Sequence, residues 1–186
     1  MTLPTEIHGY AIVSEDDKIA AADGLVPPQL RNEVDWELYQ GALANSDLIV
    51  FAHRSHDAEP NLSGQRRVVL SRSARGLERR EDAWWWNPDR AAWSEVLAQA
   101  LPDGGEVAVP GGQFAFDLFL RIGYDAFHLS HARGVRLPGG RSLFSACEAG
   151  ETSSAVLTRS GLVVSQRLEL DPAHGVSMDV WRRPAR

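Results

Sequence analysis

An aspartate one helical turn ahead of a tyrosine, a glycine pair between an apolar run and a helix, and two apolar runs ending in arginine and serine are where this sequence could do chemistry. Asp35 lies three residues before Leu38 and four before Tyr39, so on a helix it shares their inward stripe. A carboxylate there is costly unless paired or protonated, and a carboxyl of raised pKa can deliver a proton beside a hydride acceptor. Stabilising the first turn of its own helix would be the plainer use of the same residue. Gly111-Gly112 follow Pro110, and glycines between a strand and a helix let backbone approach a ligand that side chains would exclude. The free amides of the next helix then favour phosphate, although a tight turn needs the same residues. GxGxxG and GxxxxGK[ST] are both absent.

The run Leu48 to Ala52 ends in His53-Arg54-Ser55, and Val68 to Leu70 ends in Ser71-Arg72-Ser73. Side by side at one rim these would offer hydroxyls and guanidinium forks to a ribose phosphate, or serve only as solvated loop charge. His53, His56 and Asp57 are too loosely spaced for a ligand set, so no metal is expected. His128 and His131 fall on opposite faces of a strand, and Trp84 to Trp86 either pin a loop or stack on a flat ring.

The elements that must position these residues follow from pattern. Gly9 to Val13 reads as a first strand, Gly24 to Gln29 as an extended segment held by two prolines, and Asn32 as the cap of a helix to Asn45. Val34, Leu38, Tyr39 and Ala42 form its expected buried stripe. Leu48 to Ala52 and Val68 to Leu70 are short, wholly apolar strands, as covered parallel strands are. An irregular basic and aromatic stretch follows, and Asn87-Pro88 opens a helix through Ala100. Val107 to Val109 leads through the glycines into a helix from Gln113 to Leu120, and Tyr124 to Ala132 is a strand. Thr152 to Ser160 suits helix or strand, and Val163 to Leu170 with Val176 to Trp181 forms a terminal hairpin. Together these predict one α/β domain over residues 1–186, a three-layer α/β/α arrangement around a mostly parallel mixed sheet with an antiparallel C-terminal hairpin.

A net charge of -6 argues against a general nucleic-acid surface. Lys18 is the only lysine, so the remaining basic residues are arginines, which suit phosphate. Cys147 is the only cysteine, which excludes an intramolecular disulfide and suits a reducing compartment. The opening residues lack a basic stretch before an apolar core, and no run reaches the roughly 18 apolar residues of a membrane span. A cytoplasmic protein with a small-molecule partner is expected, monomeric or homodimeric, without nucleic acid or membrane.

In order and spacing, residues 8–144 resemble the dihydrofolate reductase family. Tyr10-Ala11-Ile12-Val13 and Ile19-Ala20 look like its opening strand and the start of its mobile loop. Asp35 with Tyr39 resembles its acid and the aromatic that holds the pterin, with Tyr10 alongside, and Ser130 stands where a strand threonine holds the acid. Ala52-His53-Arg54-Ser55 resembles its Gly-Arg-x-Thr, Leu70-Ser71-Arg72 its Leu-Ser-Arg/Ser, and Val109-Pro110-Gly111-Gly112 its Ile-Gly-Gly. Gln113 and Phe114 come next, and Phe116 takes the place of a tyrosine. The resemblance implies a cis peptide between the glycines and NADPH as cofactor, held by Ala11, Ile12, Ile19, Ala20, His53 to Ser55, Ser71, Arg72, Pro110 to Phe114 and Phe116. It implies catalysis by Asp35 and Ser130, and a substrate held by Tyr10, Asp35 and Tyr39.

The implied reaction is hydride transfer to a C=N bond of a pterin or dihydrofolate, within folate or pterin metabolism. The family's loop tryptophan is missing before Asp35, and Gln65 stands where folate reductases carry the arginine that grips glutamate. Arg66, next along, points the other way in an extended strand. These departures keep two alternatives in play: a riboflavin-pathway-type reductase of a ribosylated pyrimidine, and a nucleotide-binding regulator without turnover.

Overall fold

A computed structural model describes residues 4–184 except 60 and 62. Strand β1 (Thr5–Ser14) runs up the centre, and β2 (Lys18–Ala20) pairs away from the main sheet. Pro27 is extended, but Pro28–Leu30 closes a turn of 3-10 helix rather than continuing straight, and it carries buried Leu30 down onto Ile12 and Ala132. Asn32 then caps α1 (Glu33–Asn45): its backbone is extended and its Oδ1 accepts the Asp35 amide at 3.1 Å. Ser46 ends the helix by donating its hydroxyl to the Ala42 carbonyl.

Strands β3 (Leu48–Ala52) and β4 (Arg67–Leu70) flank a short helix, α2 (His53–Ala58), where a basic loop was expected. The basic and aromatic stretch is a hairpin, β5 (Leu77–Arg80) and β6 (Ala83–Trp86), whose period of two buries Trp86 in the main core and turns Trp85 towards α2. Asn87 does not open a helix. Its amide donates to the Arg72 and Ala74 carbonyls, and α3 (Trp93–Ala100) begins six residues later. Then come β7 (Gly105–Val109), α4 (Gln113–Ile122), β8 (Ala126–Ala132), β9 (Arg141–Ser142), α5 (Ser153–Arg159), β10 (Val163–Asp171) and β11 (Val176–Arg182).

The main sheet has the order β10-β11-β8-β1-β7-β3-β4-β6-β5. From β8 to β6 neighbours are parallel, and the hairpins at both ends are antiparallel. The expected mixed α/β sheet is therefore present, with a second antiparallel pair at the far edge that composition concealed. Helices α3, α4 and α5 cover one face over the larger core, while α1 and α2 lie on the other over Tyr10, Ile49, Phe51 and Ala108.

The inward stripe of α1 is Asp35, Tyr39, Ala42 and Leu43, at the i, i+4, i+7, i+8 spacing of one helical face. Val34 and Leu38, expected inside, are exposed. A helix that seats Leu43 on Ile49 and Phe51 has rotated both of them outward. Among the described residues no helix is long and apolar enough to cross a membrane.

Candidate functional site

Helix α1 carries Asp35 and Tyr39 on its inward face, and β8 contributes Ser130. Ser130 pairs with Ile12 in register, so both project from the α1 side of the sheet. Burial raises the Asp35 pKa above the usual carboxylate range, and the Ser130 hydroxyl opposes that rise. Ser130 Oγ is buried and makes no other hydrogen bond among the described residues, so its hydroxyl is directed to the acid alone. Trp36 follows Asp35 and is 53% exposed, with its indole stacked on Tyr39 at 5.3 Å between centroids. Asp35, Trp36 and Tyr39 thus set a carboxyl beside two stacked aromatic rings on one stretch of α1, the kind of groups a flat, hydrogen-bonding heterocycle needs.

One turn further along α1 the cleft becomes polar. A cavity of about 300 Å³ opens between Gln40, Leu43 and Ala44 on the helix and Glu59, Gln65 and Arg67 opposite. Arg67 is only 5% exposed; its guanidinium lies 4.8 Å from the Phe51 ring centre and donates to the Glu59 carbonyl. Burial lifts the Glu59 carboxyl upward, while the charge of Arg67 draws it back. Gln65 donates its side-chain amide to the Leu43 carbonyl at 3.0 Å.

At the other end, the carboxyl ends of β3, β4 and β7 gather the residues expected to meet phosphate. Gly111 and Gly112 are joined by a cis peptide, and Gly111 has φ +114°. A Cβ at Gly111 would lie 2.9 Å from the Phe116 ring, whereas one at Gly112 would meet nothing, so the helix start is open on that side. The N-cap of α4 has no side-chain partner, which leaves its first amides for a ligand. Ser71 and Ser73 share a hydrogen bond of 2.9 Å between hydroxyls beside exposed Arg72. Arg54 stands in the first turn of α2 with Ser55, and its Nη1 lies 3.4 Å from where a Gly24 Cβ would be.

Several expected contacts fall elsewhere. Phe116 is 1% exposed and packs on Phe127 and Phe144, so it props the glycine turn from behind and touches no ligand space. Tyr10 sends its hydroxyl to Glu106 Oε1 at 3.0 Å, at the opposite end of β7, and stacks on His128. Its ring supports α1 and its polar atom leaves the cleft. Gln113 donates to the Ser142 carbonyl and to Glu148, fastening α4 to β9. Ile19 and Ala20 lie on β2, which pairs with β9, while Ala11 turns to the larger core and Pro110 and exposed Phe114 flank the glycines. His53 and His56 approach different carboxylates, Asp57 and Asp82, and both meet the Trp85 ring edge-on.

Trp36, Glu59, Arg67 and Arg141 were missed in the sequence. Arg67 had a signal: it is two residues beyond Gln65, so in a strand it faces the same way, unlike Arg66. Trp36 adjoins Asp35 on the flank of α1 that also carries Gln40. Arg141, whose Nη2 shares the neighbourhood of Gly24 with Arg54, gave no signal because β9 is only two residues long.

No model of a known protein family matches the chain, and no curated protein does. Solved structures do. Dihydrofolate reductase from Enterococcus faecalis, complexed with NADP(H) and RAB-propyl, aligns over 100% of both chains with a TM-score of 0.69 and 12% identity. A pyrimidine reductase-like protein from Corynebacterium diphtheriae aligns over 98% of this chain and 93% of its own, with a TM-score of 0.68 and 14% identity. A diaminohydroxyphosphoribosylaminopyrimidine deaminase/5-amino-6-(5-phosphoribosylamino)uracil reductase from Thermotoga maritima aligns over 97% of this chain and 57% of its own, with a TM-score of 0.66 and 16% identity. At such identities the likeness shows the fold, which is dihydrofolate reductase-like.

Proposed function

We propose that the protein is an NADPH-dependent reductase that reduces a C=N bond in a pterin or a related nitrogen heterocycle. The observation that carries this reading is the Asp35 carboxyl, raised by burial, with the Ser130 hydroxyl directed to it and the Trp36–Tyr39 stack on the same helix. The opposite end of the cleft fits the cofactor: a glycine turn with no Cβ in the way, uncapped amides of α4, paired serine hydroxyls, and Arg54 and Arg72 with no carboxylate partner among the described residues. Arg72 and Ser71 would hold the adenosine phosphate, and Arg54, Ser55 and the α4 amides the pyrophosphate. When bound, NADPH supplies the hydride from its nicotinamide ring.

The chain's own residues do the remainder. Trp36 and Tyr39 hold the ring flat against the helix, and Asp35 in its protonated form donates to the ring nitrogen while the adjacent carbon gains hydride. Atoms balance: one hydride and one proton convert C=N to CH–NH, and the carboxylate left behind is reprotonated from solvent. Ser130 can donate to that carboxylate and hold it in place.

A second reading takes a ribosylated pyrimidine as substrate. It is favoured by Gln65, whose amide is tied to the Leu43 carbonyl and has no charge to offer a glutamate tail. The deciding experiment is oxidation of NADPH, followed by absorbance, with dihydrofolate, a dihydropterin lacking the glutamate tail, and the ribosylated pyrimidine. Turnover of any one supports a reductase and names its ring; NADPH bound without turnover of any would make the protein a nucleotide-binding regulator.

A further inference from the structure

Arg67 is buried as thoroughly as a core residue yet makes no ion pair among the described residues. Its Nη1 serves the Glu59 carbonyl, its flat face covers Phe51, and its Nε has no partner among the described residues. A buried guanidinium in that state wants acceptors. The cavity it lines also holds a carboxyl, Glu59, and the side chains of Gln40, Ser63 and Gln65. Gln65 uses one amide hydrogen on Leu43 and keeps its carbonyl oxygen, so both acceptors and donors line one space. The cavity begins five residues of helix beyond Asp35, or about 7.5 Å of rise, where an arm on the ring would arrive.

From this inventory we infer that the cavity receives an uncharged, hydroxyl-rich arm of the substrate, with Arg67 and Glu59 as the residues that select it. The inference rests on the reductase reading above and deepens it. A hydroxyl both donates and accepts, so a chain of hydroxyls can accept from Arg67 and donate to Glu59 and to the Gln65 oxygen together. A carboxylate arm only accepts. It would accept from Arg67, but it would meet the Glu59 carboxyl as a like charge and leave the Gln65 oxygen without a donor, which offsets that gain. An alkyl arm would displace water from Arg67 and Glu59 and answer neither.

The test compares three dihydropterins that share one ring and differ only in the arm at one position: methyl, trihydroxypropyl or carboxyethyl. Affinity is measured by calorimetry with NADPH present, and kcat/KM by NADPH oxidation. The trihydroxypropyl arm is expected to improve affinity roughly tenfold over methyl, and the carboxyethyl arm not at all. Glu59→Gln should then raise affinity for the carboxyethyl compound several-fold, a gain that damage to the fold would not produce. Equal affinity for methyl and trihydroxypropyl arms, or preference for the carboxylate in the parent protein, overturns the inference alone. If no arm supports binding or turnover, and an aminopyrimidine carrying a methyl or a polyhydroxyl arm is silent too, the reductase reading itself fails.

Discussion

The two ends of the cleft hold charge in opposite ways. At the end proposed for the cofactor, Arg54, Arg72 and Arg141 are exposed and belong to loops or to the ends of short elements, with backbone amides and serines around them. At the acid end, Asp35, Tyr39 and Arg67 are largely shielded from water and sit on the central helix and strands. Exposed charge costs little to maintain and suits an anion that brings its own charge. Buried charge is expensive and is kept where a proton must be held at an unusual pKa or a polar group recognised without water. The two regions therefore contrast an exposed, tolerant rim of charge with a buried one that is costly to keep.

The largest expected effect would separate those two ends. Asp35→Asn keeps the shape and the Asn32 cap but removes the proton donor, so turnover should fall on the order of a hundredfold or more at neutral pH. NADPH affinity, read by fluorescence or calorimetry, should stay within about twofold because the contacts proposed for it lie at the other rim. If turnover were unchanged, the proton would come from elsewhere and the contrast would collapse.

The reverse dissection is smaller. Arg54→Ala with Arg72→Ala should weaken NADPH by roughly ten- to a hundredfold, since each charge-assisted contact is worth about 1.5–3 kcal/mol and exposure discounts it. NADH should lose less, because it lacks the phosphate assigned to Arg72. Equal losses for both cofactors would remove that assignment and leave the rim as a general anion surface.

How far the sequence disclosed each end follows from the same contrast. The strand ends were legible because LIVFA and VVL are too apolar to be anything but covered strands and because glycines mark a turn by their own chemistry. Asp35 was legible through its spacing to Tyr39. What escaped depended on rotation and depth: Leu38 and Val34 carry the same hydrophobic signal as a buried stripe, and only the seating of Leu43 on the sheet shows that they face water. Phe116 was expected among the cofactor-binding residues by its position after the glycines, yet lacking a hydroxyl it has every reason to stay in the core. Arg67 was concealed because a charged residue at a strand start ordinarily reads as solvated.

A connection between the sheet's antiparallel edge and the floor of the cleft sharpens the comparison. Asp171, at the end of β10, accepts from Asn32 Nδ2 at 2.9 Å and also contacts His174 Nδ1 at 2.7 Å, while Asn32 caps the turn that holds Asp35. Asn32→Ala should cost about 1 kcal/mol through the lost cap, seen as a Tm lower by a few degrees. Asp171→Ala should leave the cap in place but free its side chain. It should lower kcat more than it raises KM, if the tether aims the acid. A fall in Tm with kcat untouched would reduce the contact to a structural one.

The smallest effect concerns stability and reads the cost of the buried acid directly. Because burial raises the Asp35 pKa, the folded protein binds that proton more tightly than the unfolded chain does. Stability is therefore lost as pH rises from the ordinary carboxylate pKa through the raised one, and the loss persists above it. Asp35→Asn removes the ionisation, so the variant should be more stable than its parent at pH 7, with the two Tm curves converging as pH falls to the ordinary carboxylate range. A floor that gives up stability to hold a proton predicts that sign. If the variant were less stable than its parent at neutral pH, the Asp35 carboxylate would be a favourable part of the fold, a helix-terminal charge and not a poised acid.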